Sequence, residues 1–326
     1  MANSLLSIQP HKVSRDLKGY SVFFYGEPKS GKTTIASKFP GALLLAFEKG
    51  YNAIPGVMAK PLNTWSEFKK TLRELKDPEV QETFKTIVID TADIAYQLCE
   101  KWVCQQESNE KVDYTTIGDI PYGKGYKLVE KEFDECLRAI IQMDYGLVII
   151  SHSIDKTFTD ENGKDFNQIV PTLDNRGRKI CERACDIIGY ARSIQTEEGE
   201  KKSTLYLRQT SRFVAGSRFK CMPSAIEFTY ENLVEAIQKA IDDEAKEYGG
   251  QLVTNEASNL QKVSNDYDFD ALMEEFQSLI SKLMESQSPT MAGKITKIVE
   301  THLGKGKKVG DITADQAAEL DLIVYE

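Results

Sequence analysis

Short apolar runs alternate with longer amphipathic stretches over the first 150 residues of the chain. The runs are rich in β-branched and aromatic residues, which predicts buried strands. Apolar residues at helical spacing between the runs predict helices. The predicted strands are residues 20–25, 41–47, 86–90 and 147–150, and the predicted helices start at residue 33 and cover 64–76, 92–106 and 126–143. This alternation favours an α/β fold with a mainly parallel sheet that is covered on both faces.

The pattern changes after residue 175. Residues 186–195 and 203–210 predict two strands, and the turn-like residues 197–200 join them. We therefore expect an antiparallel β-hairpin that continues the sheet. A further helix is predicted over residues 230–246.

Composition along the chain suggests four segments. A polar lead-in (1–18) precedes the α/β core (19–246), and residues 247–267 contain Gly-Gly, Asn and Ser without periodicity, which is typical of a linker. Residues 268–326 predict a small acidic module with helices at 268–286, 290–303 and 313–325.

The chain has 326 residues, of which 41% are hydrophobic and 28% charged, as is usual for a soluble globular protein. No apolar run approaches the length of a membrane span, and the N-terminus does not resemble a signal peptide, so we expect a cytoplasmic protein without a membrane partner. The six cysteines form no C-x-x-C pair, which favours reduced, packed thiols over a zinc site.

The net charge of −9 is unevenly distributed. From Gln251 onward there are 13 acidic and 7 basic residues, so the C-terminal quarter carries most of the excess. Bulk charge therefore does not indicate a nucleic-acid partner. Such a partner would need a local basic patch or a groove built by several subunits.

The chemistry begins with residues 26–33, Gly-Glu-Pro-Lys-Ser-Gly-Lys-Thr, which fit the phosphate-binding loop G-x-x-x-x-G-K-[ST]. The loop lies between a predicted strand and a predicted helix, where backbone N–H groups and the helix N-terminus favour phosphate. We expect Lys32 to reach the β and γ phosphates and the Thr33 hydroxyl to bind Mg²⁺. The predicted nucleotide-binding residues are Gly26, Glu27, Pro28, Lys29, Ser30, Gly31, Lys32, Thr33 and Thr34.

Polar residues follow the other predicted strands. Asp90 ends the third strand and is expected to hold Mg²⁺ through water. Thr91 rather than Glu follows it, so the general base must come from elsewhere. Glu48 ends the second strand, and strand ends line the ligand crevice of open α/β sheets, so we assign Glu48 to the attacking water. The alternative is a solvated carboxylate at a strand end.

His152 follows the fourth strand and would donate to a γ-phosphate oxygen, unless it is only a hydrogen-bonded histidine at a strand end. Arginines 208, 212 and 218 cluster later, and Arg212 or Arg218 is a candidate arginine finger acting on a neighbouring subunit's nucleotide. These arginines would otherwise contact adenine or be surface charge.

Two other nucleotide-binding classes fit less well. Residues 90–93 lack the glycine of the GTPase D-x-x-G motif, and the chain has no N-K-x-D for guanine. A small-molecule kinase would need an arginine-rich lid, whereas residues 91–125 contain no arginine.

Two predicted loops, 107–125 and 154–180, carry basic residues interleaved with aromatic residues, which suits single-stranded DNA. They would otherwise be flexible surface loops. The candidate DNA contacts are Lys111, Lys124, Lys156, Arg176, Arg178 and Lys179, accompanied by Tyr114, Tyr122, Phe158 and Phe166.

Taken together, these motifs resemble the phage RecA/KaiC-like P-loop ATPases, also described as AAA-type nucleotide-binding proteins, and in particular the Sak-type single-strand annealing recombinases. The resemblance spans about residues 15–240. It is carried by the segments 25–34, 86–91, 122–126, 149–152 and 215–218, together with Glu48.

The resemblance implies a RecA-like core that uses ATP and Mg²⁺, assembles into a ring or filament with nucleotide at subunit boundaries, and binds single-stranded DNA. It supports Glu48 as the catalytic glutamate. Ser151-His152 stands where those proteins have a glutamine sensor. The implied function is ATP-driven annealing or strand exchange in phage recombination, in the host cytoplasm.

Two points stay open in this interpretation. The chain would otherwise be a nucleotide-switched assembly or protein-binding module without a DNA role, or, less readily, a small-molecule kinase. The C-terminal module lies outside the resemblance. It would regulate access to DNA, bind a partner such as a single-strand-binding protein, or simply pack against the core.

Overall fold

The computed structural model describes residues 10–195, 201–247, 253–254, 269–285, 291–304, 306–313 and 316–325. These residues divide between two compact units, a larger one within His11–Leu260 and a smaller one within Gln261–Glu326.

Regular elements occur along the whole described chain. The strands are β1 (Val13–Ser14), β2 (Ser21–Gly26), β3 (Ala42–Ala46), β4 (Ala59–Pro61), β5 (Thr86–Asp90), β6 (Gly146–Thr159), β7 (Asp165–Pro171), β8 (Ile187–Gln195), β9 (Lys201–Tyr206), β10 (Gly216–Ser217), β11 (Ala225–Glu227) and β12 (Val253–Thr254). The helices are α1 (Lys32–Ala36), α2 (Trp65–Glu74), α3 (Pro78–Thr83), α4 (Ala92–Glu107), α5 (Lys124–Gln142), α6 (Asn175–Ala184), α7 (Tyr230–Glu247), α8 (Phe269–Glu285), α9 (Met291–Leu303) and α10 (Ala317–Tyr325). Short 3-10 helices cover Leu17–Gly19, Ile117–Asp119, Pro121–Gly123 and Val309–Asp311.

The larger unit is built on one sheet with the strand order β11-β9-β8-β2-β6-β5-β3-β4. The pairs from β8 to β4 are all parallel, whereas β9 and β11 are antiparallel to their neighbours. The predicted mainly parallel α/β sheet with an antiparallel hairpin is therefore confirmed. The strand β6 lies between β2, which leads into the phosphate loop, and β5, which ends at Asp90.

Alternate residues of the central strands face two separate cores. Phe23 and Tyr25 of β2 pack with Trp65, Tyr96 and Phe133 from α2, α4 and α5. On the opposite face, the core holds the intervening strand residues and side chains from the helices α1 and α7; it includes Val22, Phe24, Val148, Ile35, Leu233 and Ile237. Burial on both faces explains why these strands are apolar throughout.

The predicted loop at 154–180 is wrong. The strand β6 continues past the sheet to Thr159 and pairs with β7 in an antiparallel hairpin, from Ser153 opposite Pro171 to Thr159 opposite Asp165, and the helix α6 follows. Residues 153–159 and 165–169 are mostly exposed, and the polar Lys156 interrupts the apolar face that holds Ile154 and Phe158, so the sequence shows no buried-strand pattern there. We call this β6–β7 extension, residues 153–171, the protruding hairpin.

The other predicted loop, 107–125, connects the antiparallel helices α4 and α5, whose ends are joined by an ion pair between Glu107 and Lys124.

The sequence did not predict β4 and α3, which are short. It also predicted that the second hairpin strand extends to residue 210, whereas β9 ends at Tyr206.

The smaller unit packs α8, α9 and α10 around Val299, Val309, Leu320 and Ile323. The proposed domain boundaries stay a prediction, because residues 1–9, 248–252 and 255–267 lie outside the described residues, as does the predicted turn at 197–200. Within the predicted linker, β12 pairs with β1.

None of the helices in the described ranges is long and apolar enough to cross a membrane. All six cysteines are free thiols, five of them buried and Cys221 exposed.

Candidate nucleotide-binding site

The phosphate loop leaves β2 through a glycine that no other residue can replace without displacing the neighbouring strand. Gly26 has φ +154°, and a Cβ there would lie 2.0 Å from the carbonyl oxygen of Ala191 on β8. Gly31 then begins α1 with φ 93°. Since α1 is only five residues long, the loop's own N–H groups and Lys32 carry most of the expected attraction for phosphate.

Lys32 is buried within the loop, with 5% of its surface exposed. Its ammonium donates hydrogen bonds to the carbonyl oxygens of Gly26 at 2.9 Å and Glu27 at 2.8 Å, and to Ser30 Oγ at 3.4 Å. Burial lowers the pKa of Lys32 to about 8, although Asp90 and Glu48 act in the opposite direction. The cation is thus already held where phosphates would enter the loop.

Asp90 and Thr33 form the second part of the site. The Thr33 hydroxyl donates to Asp90 Oδ2 at 2.8 Å. Asp90 is 1% exposed, and burial raises its pKa to about 6 against the effect of the Thr33 hydrogen bond. Its Oδ1 atom is buried and has no hydrogen-bond partner among the described residues. An unpaired buried carboxylate oxygen is costly, which suggests that a ligand completes this site.

The space beside Gly50 borders these oxygens and is large enough for a methyl group. A Cβ added to Gly50 would lie 3.7 Å from Asp90 Oδ2, 3.8 Å from Thr33 Oγ1 and 3.9 Å from Glu48 Oε1. Oxygen atoms of a hydroxyl and one or two carboxylates, completed by substrate phosphates, suit Mg²⁺. The part of the chain that the structure describes holds no group of three or more His, Cys, Asp or Glu residues suited to a metal.

Glu48 and His152 meet across the site. His152 Nε2 lies 3.4 Å from Glu48 Oε1, and about a third of each side chain is exposed. The hydrogen bond to His152 is the largest effect holding the pKa of Glu48 below 4.5. The same bond raises the pKa of His152 above 6.5. The amides of Phe47 and Glu48 both donate to the carbonyl oxygen of Asp90, which fixes Glu48 beside it.

Asp93, at the start of α4, forms hydrogen bonds with residues at the base of the protruding hairpin. Its carboxylate accepts hydrogen bonds from Ser151 Oγ at 3.0 Å, Thr172 Oγ1 at 2.5 Å and the His152 amide at 3.4 Å. Sequence reasoning did not identify Asp93, Gly50 or Arg192. Arg192 lies on β8, beside the loop, with Nε 4.0 Å from Glu27 Oε1. Only the register between β2 and β8 brings it there.

The arginines of the later cluster lie in different places. Arg218 pairs with Asp186 at 2.9 Å, and Asp186 accepts the amide of Ser21 at the start of β2. Arg218 therefore lies at the end of the sheet opposite the phosphate loop of its own chain. Arg208 donates to the carbonyl oxygens of Phe219 and Met222, which is a structural role.

Arg212 lies at the same end of the sheet as the phosphate loop. Its carbonyl oxygen accepts the amide of Ile169 from the protruding hairpin at 2.7 Å. Two residues later, the Val214 carbonyl accepts from the Tyr25 hydroxyl at 2.5 Å. The predicted finger candidates are thus not equivalent in position, and only Arg212 is near the loop end of its own sheet.

The candidate DNA contacts lie on three different elements: the protruding hairpin, the helix α6 and the connection between α4 and α5. Lys156 lies on the protruding hairpin with its ammonium 5.7 Å from the centre of the Phe158 ring, which stacks against Phe166 at 5.9 Å. Phe166 is 40% and Ile154 51% exposed. The hairpin thus combines basic and aromatic side chains on an open surface.

The basic residues of α6 are less available. Arg176 pairs with Glu130 at 3.2 Å and covers the Tyr126 ring at 4.4 Å. The side chain of Arg178 is only 15% exposed and lies 3.5 Å from Glu182, which argues against the expected DNA contact. Lys179 is exposed.

On the connection between α4 and α5, Lys111 is exposed and Lys124 pairs with Glu107 at 2.6 Å. Tyr122, on the same connection, is fully exposed.

Comparison with known proteins adds the following. The model of a family described as "AAA domain" matches residues 18–219. The SPbeta prophage-derived protein YorG of Bacillus subtilis strain 168 is 30% identical over 334 residues, covering 99% of this chain and 97% of that protein.

Two solved structures also share similarity with the chain. A KaiC-like protein from the archaeon Pyrococcus horikoshii OT3 is 12% identical, covers 62% of this chain and 89% of its own, and has a TM-score of 0.36. The RadB recombinase is 15% identical, covers 70% of this chain and 93% of its own, and has a TM-score of 0.37.

Proposed function

Because the chain belongs to the AAA domain family, we propose that it binds ATP with Mg²⁺ and hydrolyses it. The observation that carries this proposal is the convergence of three features at one end of the sheet. They are the Lys32 ammonium inside the phosphate loop, the pair formed by Thr33 and Asp90, and the pair formed by Glu48 and His152.

Phosphate binding rests on Lys32. Its ammonium donates to the carbonyl oxygens of Gly26 and Glu27, and bonds to the β and γ phosphates would replace these on ATP binding. A pKa of about 8 keeps the group mostly protonated at pH 7, and the negative phosphates favour the charged form further.

Thr33 would hold Mg²⁺ directly and Asp90 would hold it through water. The metal would supply neutralisation of the phosphate charge. The unpaired Oδ1 of Asp90 and the open space beside Gly50 support this assignment.

Glu48 acts on the attacking water. Its low pKa keeps the carboxylate ionised near neutral pH, so it accepts a hydrogen bond from the water and orients the oxygen toward the γ-phosphate. His152, charged more readily because of Glu48, has an N–H to donate to a γ-phosphate oxygen. When it turns to the phosphate, Glu48 is freed for the water.

An arginine from a neighbouring subunit would complete the site, in a ring or filament with ATP at the subunit boundary. Arg218, at the far end of its own sheet, is 65% exposed and held by Asp186, so a second copy can reach it. Arg212 is the other candidate. In other P-loop proteins an arginine finger is supplied by a second protein or by the same chain.

The partner in this proposal is single-stranded DNA, bound in phage recombination through annealing or strand exchange. The protruding hairpin supports it, because its exposed Phe166 and neighbouring Lys156 provide stacking and charge. Its base is fastened to the nucleotide site through Asp93 and His152. The prophage origin of YorG supports a phage role, and a single-strand-binding protein is a further candidate partner.

The test is the rate of ATP hydrolysis with and without single-stranded DNA across a range of salt. We expect stimulation that is lost at high salt. The double variant Phe166→Ala/Lys156→Gln should lose stimulation but keep basal hydrolysis, whereas Lys131→Gln, an exposed control on α5, should keep both. Basal hydrolysis that no DNA concentration changes at low salt would contradict the DNA role alone, and an absence of hydrolysis would contradict the proposed activity.

One observation favours a second function, a nucleotide-switched module that recruits proteins without DNA. The chain has a net charge of −9, and the α6 arginines are engaged with Glu130 and Glu182. This alternative predicts nucleotide-dependent assembly, measured by light scattering, with no change on adding DNA.

A further inference from the structure

The smaller unit carries a row of lysines on one side of an otherwise acidic module. Lys294, Lys297 and Gly304 follow one another along α9 and its end at spacings of three and seven residues, so they share one face of the helix. All three are exposed, whereas Ile295, Ile298 and Val299 face the core of the unit.

The row continues into the turn after the helix. Lys307 and Lys308 are exposed, and Gly304 and Gly306 adopt φ of 97° and 78° with no atom within 4 Å of an added Cβ. The backbone of this turn is therefore open to close approach. We call Lys294, Lys297, Lys307 and Lys308 the basic stripe.

The local charge is positive, because the four lysines outnumber the two acidic residues beside them, Glu300 and the exposed Asp311. No ion pair involves these four lysines within the described ranges of the chain. The nearby Glu300 is half-buried, and its carboxylate accepts the amide of Gly306 at 3.0 Å, which holds it in the turn. Six of the eight acidic residues that the structure describes in this unit lie on the other helices, namely Asp270, Glu274, Glu275 and Glu285 of α8 and Glu319 and Asp321 of α10.

We infer that the basic stripe binds the phosphodiester backbone of nucleic acid, at a site that is separate from the nucleotide-binding unit. This inference goes beyond the proposed function, because the basic stripe lies outside residues 18–219, which the family model matches. The eleven residues from Lys294 to Gly304 are ten helical steps and span about 15 Å. That length corresponds to about four phosphates at the duplex spacing of about 3.4 Å per strand.

Nucleic acid fits this surface better than an acidic protein does. Protein interfaces depend on buried aromatic or aliphatic anchors, and none of the large exposed apolar residues in the described chain lies within 291–313. Lysines without apolar neighbours provide charge neutralisation and no side-chain readout of bases. Binding at the stripe is therefore independent of sequence, strongly dependent on salt, and independent of ATP.

The experiment measures the anisotropy of labelled single-stranded and duplex oligonucleotides with the full chain, without nucleotide, between low and moderate salt. The variant Lys294→Gln/Lys297→Gln/Lys307→Gln/Lys308→Gln removes the stripe and keeps good helix formers. The control Lys76→Gln/Lys101→Gln/Lys127→Gln/Lys239→Gln removes the same charge from exposed lysines elsewhere.

We expect the stripe variant to bind at least about tenfold more weakly at low salt. The slope of log K against log[salt] should become shallower by about 0.7 per lost phosphate contact on single strands and by about 0.9 on duplex. The ratio of the affinities for single-stranded and duplex oligonucleotides shows which form the stripe prefers. The control variant should match the unmodified chain. Both should keep unchanged basal ATP hydrolysis and circular dichroism.

Equal affinities for the stripe variant and the control would overturn the inference, whether both are weakened or neither. If the stripe variant lost binding to polyglutamate but kept binding to nucleic acid, the inference would also be overturned. That result would indicate an acidic protein partner. The proposed function is judged separately: DNA-stimulated hydrolysis that persists in the stripe variant supports it, and a stripe that binds without any ATP hydrolysis contradicts only the proposed activity.

Discussion

His152 Nε2 and Glu48 Oε1 are 3.4 Å apart although their strands are not neighbours. The strand β5 separates β6 from β3, so this pair spans the strand that carries Asp90. The carboxylate assigned to the attacking water and the side chain assigned to the γ-phosphate therefore contact each other. Several consequences of this arrangement can be measured.

Glu48→Gln should leave ATP binding intact and slow hydrolysis by about 10²–10⁴-fold, because a neutral amide orients water poorly and accepts no proton. Single-turnover hydrolysis together with equilibrium nucleotide binding separates the two effects. Glu110→Gln, on an exposed turn, is the matched control and should hydrolyse normally. Full activity in the Glu48 variant would remove that residue from the catalytic site.

The pH response of His152 follows from the same pair. Its folded pKa is raised, so its stabilising contribution is complete below about 6.5 and is lost as pH rises through the folded value. The pKa of Glu48 is lowered, so the stabilising contribution of Glu48 is present above about pH 4.5 and is lost as pH falls through the folded pKa. The pair thus stabilises the fold most between these limits.

NMR titration can follow His152 directly, since the chain has only three histidines. In Glu48→Gln the pKa of His152 should fall, because its largest raising effect is removed. The other histidines are internal controls and should not move. A His152 titration that is identical in both proteins would show that the pair does not form in solution.

Gly50→Ala tests the space beside Asp90. The added methyl group would lie 3.7–3.9 Å from three oxygen atoms, which is ordinary contact distance and leaves the fold unstrained. It fills the space assigned to the metal and its water, so we expect Mg²⁺-dependent ATP binding to weaken by about 10–100-fold. Thermal unfolding should not shift downward.

Gly216→Ala, where a Cβ meets nothing within 4 Å, is the control for the added methyl group. Unchanged Mg²⁺ dependence in the Gly50 variant, measured by titration calorimetry with and without the ion, would count against the assignment of Thr33 and Asp90.

Lys32→Ala should abolish ATP hydrolysis, because no other cation occupies the interior of the loop in the described chain. Lys131→Gln, which removes an exposed lysine on α5, is the matched control and should hydrolyse ATP normally. Persisting hydrolysis in the Lys32 variant would place the activity elsewhere.

The arginine proposal predicts complementation between subunits. Arg212→Ala or Arg218→Ala should slow hydrolysis by about 10³-fold or more if that residue is the finger. Mixing the slow variant with Lys32→Ala should then restore activity, because a mixed boundary contains one intact half from each subunit. Failure to restore activity in mixed oligomers would mean that the arginine acts within its own chain or only supports the fold. For Arg218 that support would be the pair with Asp186.

The sequence determined the parts of this protein that local rules control. Apolar runs on both faces of a strand predicted the parallel sheet, and the phosphate loop needed its glycines in fixed positions, so Gly26 and Lys32 were identifiable from spacing alone. Strand ends also indicated Asp90, Glu48 and His152, because parallel strands present their carboxyl ends at one edge.

Only the tertiary structure decided which of these groups meet. Strand order brought Glu48 to His152 across Asp90, and the register of β8 brought Arg192 beside the loop. The tertiary structure also separated Arg212 from Arg218, although the two residues are close in sequence. The protruding hairpin was not predicted because most of its residues are exposed and polar residues interrupt the apolar positions of its strands. Contacts between distant residues depend on topology, and a single sequence records only the local pattern.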